Sequence, residues 1–210
     1  MDKYLVLVNK ENKFDPSVLK DFKMVSAKDL DGDSVLEEET FKALTALASY
    51  MKDKHGIIVT NTSLTRTEQQ QKETMEYFIK KEGEQAAKER VALPGFSEHH
   101  TGLAADVGVE RISSVEQKIY NKIPVLKKVV RKIKSLTNEE KELYDILHKE
   151  LAQFGFILRY PDDKKEETGI KRSEPWHVRY VGVENAKEMQ ALGMCLEEYV
   201  TYLKEQELSL

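Results

Sequence analysis

Two short segments carry residue types that can act together. One is Ser97-Glu98-His99-His100-Thr101-Gly102-Leu103-Ala104-Ala105-Asp106; the other is Glu174-Pro175-Trp176-His177-Val178-Arg179-Tyr180. Two imidazoles and a carboxylate, His99, Asp106 and His177, form a ligand set of catalytic zinc, which keeps a fourth position for water. A second carboxylate, Glu174, can take that water's proton. Each residue alone reads more simply as surface or satisfied core. The two segments together reverse that reading.

Such residues need strands to aim them. A strand over 103–109 puts Leu103, Ala105, Val107 and Val109 on a core face and Ala104, Asp106 and Gly108 on the other. The small neighbours of Asp106 are expected to leave open space around it, and His99 precedes a turn at Gly102 that folds its ring back over that face. A strand over 176–181 sets His177 and Arg179 opposite Trp176, Val178 and Tyr180. Pro175 keeps Glu174 out of helical geometry, so that Glu174 and His177 can approach one centre.

The rest of the chain alternates irregularly between helices and strands. Short strands are expected at 4–8, 57–60 and 156–160. Apolar spacing predicts helices over 37–54, through Phe41, Leu44, Leu47, Ala48 and Met51, and over 67–81, through Met75, Phe78 and Ile79. Residues 10–36 read as polar and irregular, with turn chemistry at Asp31-Gly32-Asp33, and Pro94-Gly95 marks another turn. Thr137-Asn138-Glu139-Glu140 is a capping box opening a helix to about residue 154, which Gly155 stops. Residues 161–173 read as a charged loop, and two short helices end the chain. Residues 110–136 read as an insertion or lid. Val125, Leu126, Val129, Val130 and Ile133 form its apolar stripe, opposite Lys127, Lys128, Arg131, Lys132 and Lys134, which is a solvated face or a surface for anionic polymer or lipid. The expected fold class is α+β: one domain over 1–210 with a small, mainly antiparallel sheet flanked by helices.

Composition excludes several classes. With 210 residues, 40% hydrophobic, the chain is long enough for a proper core. Its 33 Lys+Arg against 37 Asp+Glu, a net charge of −4, argue against nucleic acid as a partner. No apolar run approaches a membrane span. The lone Cys195 permits no intrachain disulfide and reads as a buried thiol in a helix. The start lacks a secretory apolar segment, so a cytoplasmic protein is expected, the alternative being an exported or anchored protein trimmed of that segment.

The pattern Ser-x-His-x-x-Gly-x-Ala-x-Asp, followed by Glu-x-Trp-His, resembles the VanY/VanXY group of zinc D-alanyl-D-alanine carboxypeptidases and dipeptidases. The resemblance extends through Val91-Ala92-Leu93-Pro94-Gly95, Ile157-Leu158-Arg159-Tyr160-Pro161 and Tyr180-Val181-Gly182. It implies the hedgehog-like D-Ala-D-Ala metallopeptidase fold, zinc held by His99, Asp106 and His177, and Glu174 as general base. It further implies that Arg66, with Gln71 five residues on, stabilises the oxyanion, although Leu64-Thr65 stands where Gly-Tyr is common. Ser97 and Gln71 would hold the polar ends of a peptide or serve only structural hydrogen bonds, and Trp176 would wall the site.

On this reading the substrates are the D-Ala-D-Ala dipeptide or peptidoglycan precursor peptides, with a place in glycopeptide resistance. The rivals are an L,D-carboxypeptidase or cell-wall endopeptidase of the same fold, or a non-catalytic zinc-binding module. Three histidines stay outside the site: His100 beside the ligand, and His55 and His148, both expected to be solvated. The loop Asp162-Asp163-Lys164-Lys165-Glu166-Glu167 is a candidate for catching a dipeptide's free amine, or merely solvated.

Overall fold

The sheet that carries the site is built from four antiparallel strands in the order β3-β4-β6-β5: β3 Ile57–Ser63, β4 Ala104–Arg111, β5 Phe156–Leu158 and β6 His177–Tyr180. The structure, a computed structural model, describes residues 2–112 and 136–208. Of the expected lid at 110–136, residues 110 and 111 belong to β4, and 113–135, with the stripe at Val125–Ile133 and the basic face, lie outside the described residues.

On β4 the expected alternation holds. Leu103, Ala105, Val107 and Val109 enter the main core with Ile57, Val178 and Tyr180. Helix α1 (Glu38–His55) covers this face with Leu44, Leu47 and Met51, its amphipathic stripe. Helix α4 (Asn138–Glu150) adds Leu143, Tyr144 and Leu147. Its capping box is formed: Thr137 accepts from the Glu140 N–H, and the Glu140 carboxylate accepts from the Thr137 N–H. Helices α6 (Val183–Leu192) and α7 (Leu196–Leu208) bury a second, smaller cluster around Leu5, Val181, Met189 and Tyr199. The architecture is α+β with small antiparallel sheets flanked by helices.

Four expectations fail locally. Residues 4–8 form no strand: the Asp2 carboxylate caps a 3-10 turn at Lys3–Leu5 instead. The stretch read as irregular holds a hairpin of β1 (Met24–Asp29) and β2 (Gly32–Glu37), turned through Leu30-Asp31, with Gly32 opening β2 at φ 126°. Its apolar alternation is too sparse to read, since Ala27 and Leu36 are its buried apolar residues. Helix α2 (Glu68–Glu82) is followed, after Gly83, by the unexpected short helix α3 (Glu84–Arg90), which buries only Ala87. The charged loop contains the helical turn α5 (Lys165–Thr168), tied to α7 by a Lys164–Glu198 ion pair.

Three side chains also differ from expectation. His148 is not solvated: its Nε2–H donates to the Pro175 carbonyl at 2.8 Å. His55 lies 2.7 Å from Glu150 Oε1. Cys195 is buried, but immediately before α7 rather than inside a helix, and burial pushes its thiol up to about 12.

Candidate metal centre

Strand register brings the two motifs together. Asp106 on β4 pairs with His177 on β6, and Ala104 with Arg179, so all four side chains share the face opposite the core. His177 enters its strand from a turn in which its N–H donates to the Glu174 carbonyl at 2.9 Å, with Pro175 at the second position. His99 arrives on the 3-10 turn Glu98–Thr101, which Gly102 ends at φ 73°. A Cβ at Gly102 would stand 2.5 Å from Met24 Cε and 3.2 Å from the Glu37 nitrogen, so glycine is required by both conformation and space.

His99, Asp106 and His177 each offer a ligand atom, all within 4.8 Å of one another. Asp106 Oδ1 lies 3.1 Å from His177 Nδ1 and 3.5 Å from His99 Nε2. A tetrahedral zinc with bonds of about 2.0–2.1 Å has ligand edges of about 3.3 Å, close to both edges at Asp106, and the donor set of two imidazoles and a carboxylate suits that ion. His99 Nδ1–H donates to the Leu64 carbonyl at 2.5 Å, which leaves Nε2 as the lone pair facing the centre. His99 Nε2 is buried with no hydrogen-bond partner, as expected of a ligand atom.

The electrostatics of the two histidines differ: His99 is already in the ligand form, whereas His177 gives up a proton when it binds a metal. Burial, reinforced by Arg66, lowers His99 to about 4, so its ring is neutral, the form that binds a metal. Burial also opposes charge on His177, but Asp106 and Glu98 outweigh it and raise that ring. Burial raises the Asp106 carboxyl, but the two histidines hold it well below the carboxylate range. Glu174 Oε2 stands 3.8 Å from His177 Nδ1. Burial raises Glu174 to about 7, with Asp106 adding to it and His177 and Arg66 opposing, so this carboxylate is poised to exchange a proton near neutrality.

Arg66 is held inside the site by one hydrogen bond from each of its three nitrogens. Nε donates to Ser63 Oγ, Nη1 to Gln71 Oε1 and Nη2 to Asp106 Oδ2, at 3.0, 2.9 and 3.2 Å. A bulge between Asn61 and Ser63 makes this possible: it sets Ser63 opposite Asp106, while Thr62 Oγ1 donates to the Asp106 carbonyl. Gln71 lines the cleft, is buried, and donates to the Ala92 carbonyl while accepting from Arg66, so it orients Arg66. Ser97, Glu174 and Trp176 line a cleft of about 1360 Å³ that reaches Val35 of the hairpin and Tyr77 of α2. Trp176 also packs against the main core.

The space expected beside Asp106 opens on one side only, where Asp106 and Gly108 line the cleft. Ala104 is fully covered, and a Cβ at Gly108 would meet Thr60 Oγ1 at 2.9 Å. His100 stays outside the triad: it donates to the Arg66 carbonyl and accepts from the Gly95 N–H. The charged loop 162–167 forms a local ion pair, Lys165–Asp162, and one to α7, Lys164–Glu198, and its carboxylates are not among the cleft residues.

A buried ionic cluster escaped the sequence reading. Glu98 Oε1 accepts from Arg159 Nε at 2.8 Å and Arg179 Nη1 at 2.7 Å, and Arg159 also forks onto Glu197. Burial opposes the Glu98 charge, but the two guanidinium groups hold its carboxyl well below the usual range. Its signal was available: Arg179 alternates in phase with the ligand His177, and Glu98 sits between two site residues.

Comparison with known proteins supports the same assembly. A bifunctional D-Ala-D-Ala dipeptidase and carboxypeptidase, VanXYC of Enterococcus gallinarum, is 38% identical over 138 residues, 66% of this chain and 64% of that protein. The chain thus matches somewhat under two thirds of that relative's length. The D,D-dipeptidase VanXYg, solved with a D-Ala-D-Ala phosphinate analogue, superposes with a TM-score of 0.74 at 30% identity, covering 96% of this chain and 72% of that one. A mutant of the D,D-pentapeptidase VanY from a VanB-type vancomycin-resistance cassette, solved with Zn(II), gives 0.71 at 29% identity, covering 95% and 99%. Residues 33–183 match the VanY family itself, described as D-alanyl-D-alanine carboxypeptidase, and this span holds both motifs and every strand of the four-stranded sheet: the chain belongs to the VanY family.

Proposed function

We propose that the chain is a zinc-dependent D,D-peptidase that removes C-terminal D-alanine from peptidoglycan precursor peptides, splits D-Ala-D-Ala, or does both. The carrying observation is Glu174 beside His177 and Arg66 beside Asp106, in a cleft around the three ligand residues. A metal held only for structure needs neither group. The relatives named above, one solved with Zn(II) and one with a D-Ala-D-Ala phosphinate analogue, support the choice of metal and substrate. Their resistance-linked names support a role in glycopeptide resistance.

Zinc held by His99 Nε2, Asp106 and His177 Nδ1 would supply Lewis acidity to the scissile carbonyl and lower the pKa of a water to about 7. Glu174 takes the proton of the attacking water and returns it to the leaving amine. Arg66, fixed by Ser63 and Gln71, faces the negative charge that develops on the carbonyl oxygen. Ser97 and Trp176 bound the space beside the reacting bond.

We read residues 1–210 as one peptidase domain with an insertion at 110–136. Among the described residues no helix is long and apolar enough to cross a membrane. A cytoplasmic location is part of the proposal, in keeping with the single cysteine, and fractionation of cells expressing the natural gene tests it.

The decisive assay follows free D-Ala from D-Ala-D-Ala and from a muramyl pentapeptide, before and after chelation and zinc re-addition. Release that chelator abolishes and zinc restores is expected. Release from neither substrate, or release indifferent to chelator, defeats the proposal. A third peptide ending in an L,D bond separates the L,D-carboxypeptidase alternative.

A further inference from the structure

Among the described residues, three buried side-chain atoms have no hydrogen-bond partner: His99 Nε2, Glu98 Oε2 and His177 Nε2. The first faces the ligand cluster. The other two face each other across 3.6 Å, just beyond hydrogen-bond reach. Both arginines on Glu98 bind its Oε1, so Oε2 is left directed at His177. The two ring nitrogens of His177 thus have separate neighbours: Nδ1 sits 3.1 Å from Asp106 Oδ1, and Nε2 sits against Glu98.

We propose that Glu98 is a positioning residue of the metal centre, its Oε2 accepting the Nε2–H of His177 and so holding that ring with the Nδ1 lone pair toward His99 and Asp106. The inference rests on reading His99, Asp106 and His177 as the metal ligands. It gives the two histidines different supports. His99 is fixed by the Leu64 carbonyl, whereas His177 is fixed by a carboxylate that Arg159 and Arg179 clamp from behind. Arg159 is clamped in turn by Glu197. A carboxylate on the distal nitrogen fixes the tautomer and strengthens the ligand, and losing such a partner typically costs about 10–100-fold in metal affinity.

The test measures Zn²⁺ affinity by competition with a chromophoric chelator in wild type, Glu98→Gln and Glu197→Gln. In Glu98→Gln the amide oxygen still accepts from the arginines, while its NH₂ faces His177 Nε2. That arrangement favours the proton on Nδ1, the ligating atom. Glu197→Gln disturbs the same Arg159 without reaching His177. Affinity about 10–100-fold weaker in Glu98→Gln, with Glu197→Gln at the wild-type value, is expected. Equal weakening in both variants, or none in Glu98→Gln, overturns the role of Glu98 while leaving the ligand set intact. Wild type that binds no Zn²⁺ overturns the ligand set and the inference together. Should Glu98→Gln fail to fold, long-range ¹⁵N NMR of zinc-loaded wild type decides. A slowly exchanging His177 proton on Nε2 supports the inference, and a proton on Nδ1 or a freely exchanging Nε2 proton overturns it.

Discussion

Two buried polar clusters lie side by side on one face of the sheet, and they are built on opposite terms. In the ionic cluster, Arg179 donates to Glu98, to the Tyr180 carbonyl and to the carbonyls of Tyr4 and Val6, while Arg159 is spent on Glu98 and Glu197. In the ligand cluster, His99 Nε2 has no partner, and the carboxylate and rings crowd at distances that suit coordination. A buried network in which every guanidinium nitrogen is paired holds a fold together, and its one unpaired atom, Glu98 Oε2, is the one that faces the ligand cluster; a cluster whose own ligand atom lacks a partner is held ready for something else. Burial alone does not separate them, since Arg159, Arg179, His99 and His177 are all nearly inaccessible.

Substitutions in the two clusters should therefore fail in different ways. Arg179→Ala strips one of the two cations from Glu98 and frees three backbone carbonyls. It should cost about 3–5 kcal/mol of unfolding free energy whether or not zinc is present. His177→Ala should lose the zinc and cost much less in chelated protein. Urea unfolding of both variants in chelator is the check, and equal losses would erase the distinction.

Zinc itself should stabilise only through the ligand cluster. Free zinc at a thousandfold its Kd adds about 4 kcal/mol, and His99→Ala or Asp106→Ala should abolish the gain. Thermal melts with and without chelator report it.

The next effects concern turnover. Glu174→Gln should keep the zinc but lower kcat about 10²–10⁴-fold, because it removes the proton acceptor and leaves the ligands in place. Elemental analysis and steady-state rates measure the two halves separately. Arg66→Ala should lower kcat more than it raises KM, by about 10²–10³-fold, since its partner charge develops only in the transition state. Gln71→Ala should move in the same direction by less, because Arg66 would keep Ser63 and Asp106.

The smallest effect lies outside both clusters. Burial opposes charge on Glu150, but hydrogen bonds from Lys54, His55 and Tyr50 lower its pKa from 4.5 to about 2. Its folded pKa is depressed, so its stabilisation is present above about pH 4.5 and is lost as pH falls toward 2. Glu150→Gln should flatten that part of the stability profile and shift Tm by about 1–3 °C at neutral pH. A steep unchanged acid limb would show that other carboxylates dominate.

The strands of the site were legible because alternation is a local property. Leu103, Ala105, Val107 and Val109 mark one face of β4 from the sequence alone, so the side of Asp106 follows. Val178 and Tyr180 do the same for His177. The capping box at Thr137 and the stripe of α1 are local in the same sense. The β1–β2 hairpin was not legible, since its polar strands are held by backbone pairing and a glycine turn rather than by an apolar period. His148 and His55 looked solvated because their partners, the Pro175 carbonyl and Glu150, lie 27 and 95 residues away.

The sequence by itself determined which residues could hold a metal, and that Asp106 and His177 turn away from the core. Those facts follow from residue chemistry and from the period-two geometry of a strand, which needs no knowledge of the neighbours. Only the tertiary structure decided that Gln71 holds Arg66 and that Thr60 fills the space over Gly108. The same is true of the cluster in which Glu98, between two site residues in sequence, takes both Arg159 and Arg179 and turns its other oxygen toward His177. Partners separated by 61 and 81 residues meet through antiparallel pairing of strands far apart in the chain, and no local pattern encodes which buried charges that pairing will bring face to face.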